Sequence, residues 1–231
     1  MIDGIILFFV VYKEYLPSWW PELMAGVVAT LQITIGAFAV ALVFGVLAAI
    51  ARVSRNVVLK AIAVSYIELA RSIPGLVVLF LIYFGLVPLG IAMEAITAAI
   101  IGLGVTAGGY LAEIFRAGIE ATHRGQREAG MAVGMTPAKI YRYVILPQAF
   151  RIVLPPLVNM LINVLKESSL ASLISAPEIM LQAKDISSTD FLPLHVLILA
   201  GAIYLAMALP MSFIASRLEA RMKRGLSTSR L

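Results

Sequence analysis

The sequence has no cysteine and only two histidines, His123 and His195. Disulfides and thiolate chemistry are thereby excluded, and a zinc or haem site lacks its usual donors. Charge is scarce too: Asp, Glu, Lys and Arg make up 13 % and hydrophobic residues 61 %, where a soluble globular domain has about 25 % and roughly 45–50 %. No Gly-Lys dipeptide occurs, so a Walker A phosphate loop is missing, and any ATP used by this protein is hydrolysed on another chain. Asp3 and the lack of a basic n-region before the apolar run at 5–11 do not fit a cleaved signal peptide. The 231 residues therefore read as one integral membrane domain, too short to add a soluble catalytic one.

What is present is a series of apolar segments. Residues 23–51 carry no charge over 29 positions, more than the about 20 that a helix needs to cross the hydrocarbon core. Gly26, Thr30, Thr34, Ala37, Ala41, Gly45 and Ala48 recur at steps of three or four, which puts small residues along one face for close helix packing. Before it, residues 1–22 read as an external or interfacial segment anchored by Trp19 and Trp20. A second span starts near Ala61 and is bent or restarted at Ile73-Pro74, with Glu68 and Arg71 three apart and able to pair. A glycine- and proline-bearing turn at 85–94 leads to a third span at 95–112, rich in glycine for helix packing. A fourth span carries Pro155-Pro156 and is expected to kink. Residues 170–193 are too interrupted to span and read as a re-entrant or external connection. A fifth span covers 191–216 and ends in a basic tail at 220–231.

The charges are sorted by side. Of 18 Lys and Arg residues, all but Lys13, Lys166 and Lys184, hence 15, fall at or beside the proposed inner face. Positive-inside sorting puts the N-terminus outside and the C-terminus in the cytoplasm, which needs an odd number of spans, and five satisfies it. His123 lies in the cytoplasmic insert as a solvated residue, and His195 near the external end of span five. Neither has a nucleophile or carboxylate arranged around it for intramembrane catalysis.

One long charged connection interrupts the apolar series. From 126 to 133 the chain can make about two helical turns, Gly134 supplies a stop, and Thr136-Pro137 restarts a helix as N-cap and N1. With Ile145-Leu146-Pro147-Gln148 behind it, the stretch Glu128-Ala129-Gly130 and Gly134 resembles the EAA loop of ABC-importer permeases. Gly130 stands where that loop has its second Ala. The runs Tyr110-Leu111-Ala112-Glu113-Ile114-Phe115-Arg116-Ala117-Gly118, Leu154-Pro155-Pro156-Leu157 and Lys166-Glu167-Ser168-Ser169-Leu170 are similar to the polar amino-acid uptake permeases. The likeness runs from about residue 30 to 178.

This resemblance implies an all-α integral membrane protein of the type I ABC-importer permease kind. The permease domain would occupy 23–219, with a cytoplasmic coupling helix in the insert at about 116–147. It implies a bacterial cytoplasmic (inner) membrane location and no catalytic residue on this chain. Glu128, Ala129, Gly130, Gly134, Met135, Thr136 and Pro137 would dock an ATPase, with Gln148 and Arg151 in support. The implied partners are a second permease chain as homodimer or heterodimer, two ATPase subunits using ATP and Mg, and an external solute-binding protein.

On the fourth span, Asn159, Asn163, Lys166 and Glu167 stand at i, i+4, i+7 and i+8 and so share a face. A polar stripe on a spanning helix must face protein or water. With Ser168 and Ser169 it is expected to line the solute pathway, and the resemblance makes that solute a polar amino acid. An opine or a compatible solute stays open, and a passive membrane channel is the rival from another class.

Overall fold

The computed structural model describes residues 2–122 and 124–226, and those residues form helices and turns with no strand. The helices are α1 (Ile2–Arg52), α2 (Val57–Ser72), α3 (Gly75–Tyr83), α4 (Ala95–Glu120), α5 (Arg124–Ala132), α6 (Pro137–Ile140), α7 (Leu146–Glu167), α8 (Ile179–Asp190) and α9 (Pro193–Leu226). A π-helical turn, Tyr141–Ile145, joins α6 to α7, and a 3-10 helix, Ser168–Ile174, follows α7. Among the described residues four helical segments are long and apolar enough to cross a membrane. A fifth is obtained if the bent pair α2 and α3 makes one span.

The bend has a local cause. α2 ends at Ser72, Ile73 takes an extended backbone, and Pro74 opens α3, so the two helical stretches meet at 106°. At the start of α2 Asn56 accepts hydrogen bonds from the Val58 and Leu59 amides, which caps the helix and marks the first polar connection. Proline does not stop the other helices. Pro17 and Pro21 lie inside α1, Pro155 and Pro156 inside α7, and Pro210 inside α9.

The chain folds as two compact units. One comprises Met1–Ala39, Pro74–Gly104 and Asn163–Leu209; the other comprises Val40–Ile73, Val105–Ile162 and Pro210–Leu231. In the first, Trp19 and Leu23 of α1 pack with Ile179, Ala183 and Ile186 of α8 and with Val196, Ala200 and Ile203 of α9. In the second, Ala48 of α1, Ile67 of α2 and Ala112 of α4 form a core, and the Tyr66 hydroxyl donates to the Val105 carbonyl at 2.7 Å. All seven small residues of the α1 stripe are buried. Close approach is the reason at Gly109, where an added Cβ would lie 2.6 Å from that of Ala70.

Several expectations change. Residues 2–22 are helical and continuous with the first span, where a break was expected near residue 22. Trp19 is no membrane anchor: it is 2 % exposed, and its indole Nε1 donates to Asp190 Oδ2 at 2.6 Å. Only Trp20 is exposed. Contact with α8 and α9 outweighs the hydrogen bonds that Pro17 and Pro21 remove. Glu68 is exposed and does not pair with Arg71 among the described residues; the Arg71 guanidinium sits 5.8 Å from the Tyr110 ring instead. The connection at 170–193 resolves into the end of the 3-10 helix, a left-handed Ser175 and α8, which packs within the first unit. Non-helical backbone is tolerated there because Ala171, Ser172, Ile174 and Ala176 are buried in protein.

Candidate functional site

The polar insert is built as its residues dictate. α5 ends in a Schellman arrangement: the Met135 amide donates to the Gly130 carbonyl and the Gly134 amide to the Met131 carbonyl, each at 3.0 Å. Gly134 has φ +79, the left-handed region that glycine enters without a Cβ penalty. Thr136 then caps α6 by accepting from the Lys139 amide at 3.4 Å, with Pro137 at the first helical position. Gly130 is buried against Ile140, whose Cγ1 would lie 2.8 Å from an added Cβ. The departure from Ala at this position therefore fits the volume of the facing isoleucine.

Glu128, Ala129, Gly134, Thr136 and Pro137 are exposed, and Met135 is half-buried. Beside them Met131 is 51 % and Val133 78 % exposed, apolar side chains on the most polar stretch of the chain. Gln148 is half-buried and Arg151 exposed. His123 lies outside the described residues.

In the same unit an ion network stands at the base of the insert. Glu113 meets the Arg52 guanidinium and accepts from Arg116 at 2.7 and 3.0 Å, while Arg116 also reaches Glu120 at 2.5 Å. It joins the end of α1 to the last turns of α4, which lead into α5.

On α7, Asn159, Asn163, Lys166 and Glu167 are all exposed, as their shared helix face requires. Neither Lys166 nor Glu167 has an ion-pair partner among the described residues. Their neighbours divide. Ser169 is half-buried and donates to the Lys166 carbonyl at 2.7 Å, whereas Ser168 is fully buried and donates to the Leu165 carbonyl at 2.7 Å. The structure thus turns Ser168 away from the polar face to which its motif assigns it.

A buried carboxyl that the sequence reading did not single out lies nearby in the chain. Glu178 is 0 % exposed; its Oε1 accepts from the Leu181 amide at 2.9 Å, capping α8, and its Oε2 accepts from the Tyr204 hydroxyl of α9. Burial pushes this carboxyl above the ordinary range, against the opposing hydrogen bonds from Met180, Tyr204 and Leu181 and the charge of Lys184. The only local signal was an acid just before the apolar start of α8; its partner is 26 residues on. His195, at the start of α9, stacks on Phe8 at 4.4 Å, and its buried Nε2 has no hydrogen-bond partner among the described residues.

Comparison with known proteins places this geometry. The family model for the inner membrane component of binding-protein-dependent transport systems matches residues 41–224. The chain is 38 % identical over 187 residues to a probable amino-acid ABC transporter permease, YckA of Bacillus subtilis, covering 81 % of this chain and 83 % of that one. It is 37 % identical over 206 residues to the glutamine transport system permease GlnP of Escherichia coli, covering 88 % and 94 %. A crystal structure of an amino acid ABC transporter with histidines superposes with a TM-score of 0.86 at 38 % identity, covering 89 % of this chain and 96 % of that one. The inward-facing methionine transporter MetNI, at 22 % identity and a TM-score of 0.70, shares the fold over 89 % and 98 % of the two chains. The chain belongs to the inner-membrane components of binding-protein-dependent transport systems: it is a multi-pass ABC-importer permease of the polar amino-acid family, a transport subunit and not an enzyme.

Proposed function

We propose that this permease provides the path for a polar amino acid, and that α7 carries the path on the face of Asn159, Asn163, Lys166 and Glu167, with Ser169 beside it. The observation that carries the reading is the exposure, at the end of a spanning helix, of a lysine and a glutamate with no ion-pair partner among the described residues. Ionisable residues on a spanning helix face the bundle interior, a wet cavity or the interface, so such a face is covered by protein or water. A second permease chain, identical or related, completes the enclosure, and the opposite charges of Lys166 and Glu167 suit the carboxylate and ammonium of a zwitterion.

Glu128, Ala129, Gly130, Gly134, Met135, Thr136 and Pro137 form the element that a partner ATPase grips. Met131 and Val133 supply apolar contact, since exposed apolar side chains rimmed by charge mark interaction sites. The two ATPases bind ATP and Mg, and an external binding protein delivers the solute. The N-terminus is outside and the C-terminus in the cytoplasm. Relatives named for glutamine, cystine and arginine support an amino acid as cargo and leave its side chain open.

The test is uptake by the assembled transporter carrying Lys166→Met or Glu167→Gln, at equal membrane content and equal ATPase binding. Both variants should lower uptake by about tenfold or more, as expected when a charge-assisted hydrogen bond to the bound zwitterion is lost. Unchanged uptake in both would remove these residues from the path.

A further inference from the structure

The helical stretch that leads from the insert into the fourth span is longer than a span needs. It covers 38 residues, Pro137–Ile174, about 57 Å at 1.5 Å per residue, against a hydrocarbon core of about 30 Å. Its charge-free part begins only at Ile152. Residues 142–151 therefore lie at the membrane boundary, and their two sides differ. On one, Ile145, Ala149 and Val153 are buried, and an added Cβ at Gly118 of α4 would collide with Val153 Cγ2, so α4 closes this side. On the other, Tyr143 is 65 %, Leu146 49 % and Phe150 63 % exposed, with Arg142 and Arg151 exposed beside them. The charges on this side are not answered. Neither arginine has an ion-pair partner among the described residues. From Arg124 to Arg151 the sole acid is Glu128, against five basic residues. The Arg142 guanidinium rests 5.8 Å from the Tyr143 ring centroid, a cation–π contact that does not neutralise it.

We propose that this face binds anionic phospholipid on the insert's side of the membrane, with Arg142 and Arg151 at the headgroups and Tyr143, Leu146 and Phe150 against the acyl chains. Aromatic and aliphatic side chains flanked by arginines match the boundary between phosphates and hydrocarbon, where long basic side chains extend to the polar layer. A free phosphate would leave the three apolar side chains in water. A zwitterionic headgroup brings its own ammonium to arginines that already lack counter-charge, whereas a headgroup with net negative charge supplies it. The lipid site depends on neither the proposed solute path nor the proposed ATPase docking, although its helix starts at Pro137, directly after Thr136 of the insert.

The cysteine-free chain makes the test local. Leu146→Cys carries a bimane fluorophore as reporter of the face, and Leu197→Cys, exposed on α9, carries it as control. The assembled transporter is placed in vesicles of equimolar phosphatidylglycerol and phosphatidylcholine, with the acyl chains of one lipid or the other brominated to quench the fluorophore. Quenching at Leu146→Cys should favour phosphatidylglycerol by about fivefold or more over the ratio at Leu197→Cys, the size expected for one basic residue at a charged surface. Arg142→Gln and Arg151→Gln should each reduce that preference, and the two together should bring it to the control ratio. Arg142→Lys and Arg151→Lys should keep it. Equal ratios at the two reporters would overturn the proposal by showing ordinary boundary lipid. Quenching by neither lipid at Leu146→Cys would overturn it too, since the face is then covered by protein, the ATPase or a second permease chain. So would a preference that persists in the double glutamine variant.

Discussion

Gly134 is the residue at which backbone chemistry bears most directly on the proposed ATPase docking. An added Cβ there would meet nothing within 4 Å, so the cost of replacing it comes from φ +79 and not from crowding. Non-glycine residues in the left-handed region cost about 1–2 kcal/mol, with asparagine the best tolerated. Gly134→Val should weaken ATPase co-purification and uptake together, while Gly134→Asn keeps most of both; equal behaviour of the two variants would contradict this. Glu178 has a pH consequence with a definite sign. Its folded carboxyl titrates above the unfolded value, so the stability it contributes is full below the ordinary carboxylate range and is lost as pH rises through the raised value. Thermal unfolding in detergent should show the parent protein losing stability over that rise and Glu178→Gln losing less. Parallel curves would mean that the carboxyl is ionised with no penalty.

At the scale of elements, much was legible in short-range pattern. The three-and-four spacing of small residues announced the buried face of α1, and Gly134, Thr136 and Pro137 announced where α5 stops and α6 starts. These signals are local, since caps and helix faces are decided within one or two turns. Trp19 and Glu178 were not legible, because what buries them is contact with α8 and α9, more than 150 residues on for the tryptophan and another helix for the glutamate. A tryptophan before a long apolar run looks like an interfacial anchor until α8 covers it. The continuity of α1 through Pro17 and Pro21 escaped for the same reason.

The ion network supplies a graded prediction at this scale. Glu113, 19 % exposed at its side chain and held by two arginines, should cost more on replacement by alanine than Glu120, which is 62 % exposed. The exposed pair is expected to contribute about 0–1 kcal/mol. Equal melting shifts for Glu113→Ala and Glu120→Ala would show that Glu113 is solvated like a surface residue.

The bent pair α2 and α3 decides the topology. If the two make one span, Ser18→Cys, Leu89→Cys and Ser188→Cys label from outside, and Val53→Cys and Ala121→Cys from the cytoplasm. Each of these five positions is exposed. Labelling of Leu89→Cys from the cytoplasm would make the pair re-entrant and the number of spans even.

For the whole molecule, the fold, the family and the exposed polar face of α7 support one account: a permease that is incomplete alone, driven by an ATPase held on α5, α6 and the turn between them. The rival is a passive channel, and the two differ in what they need. The decisive measurement is amino-acid uptake into proteoliposomes holding the purified transporter, with ATP and binding protein supplied or withheld and with the parent or the Gly134→Val insert. The account predicts accumulation that requires both additions and falls sharply in Gly134→Val. Equal flux through this chain with neither ATP nor a partner ATPase would contradict it.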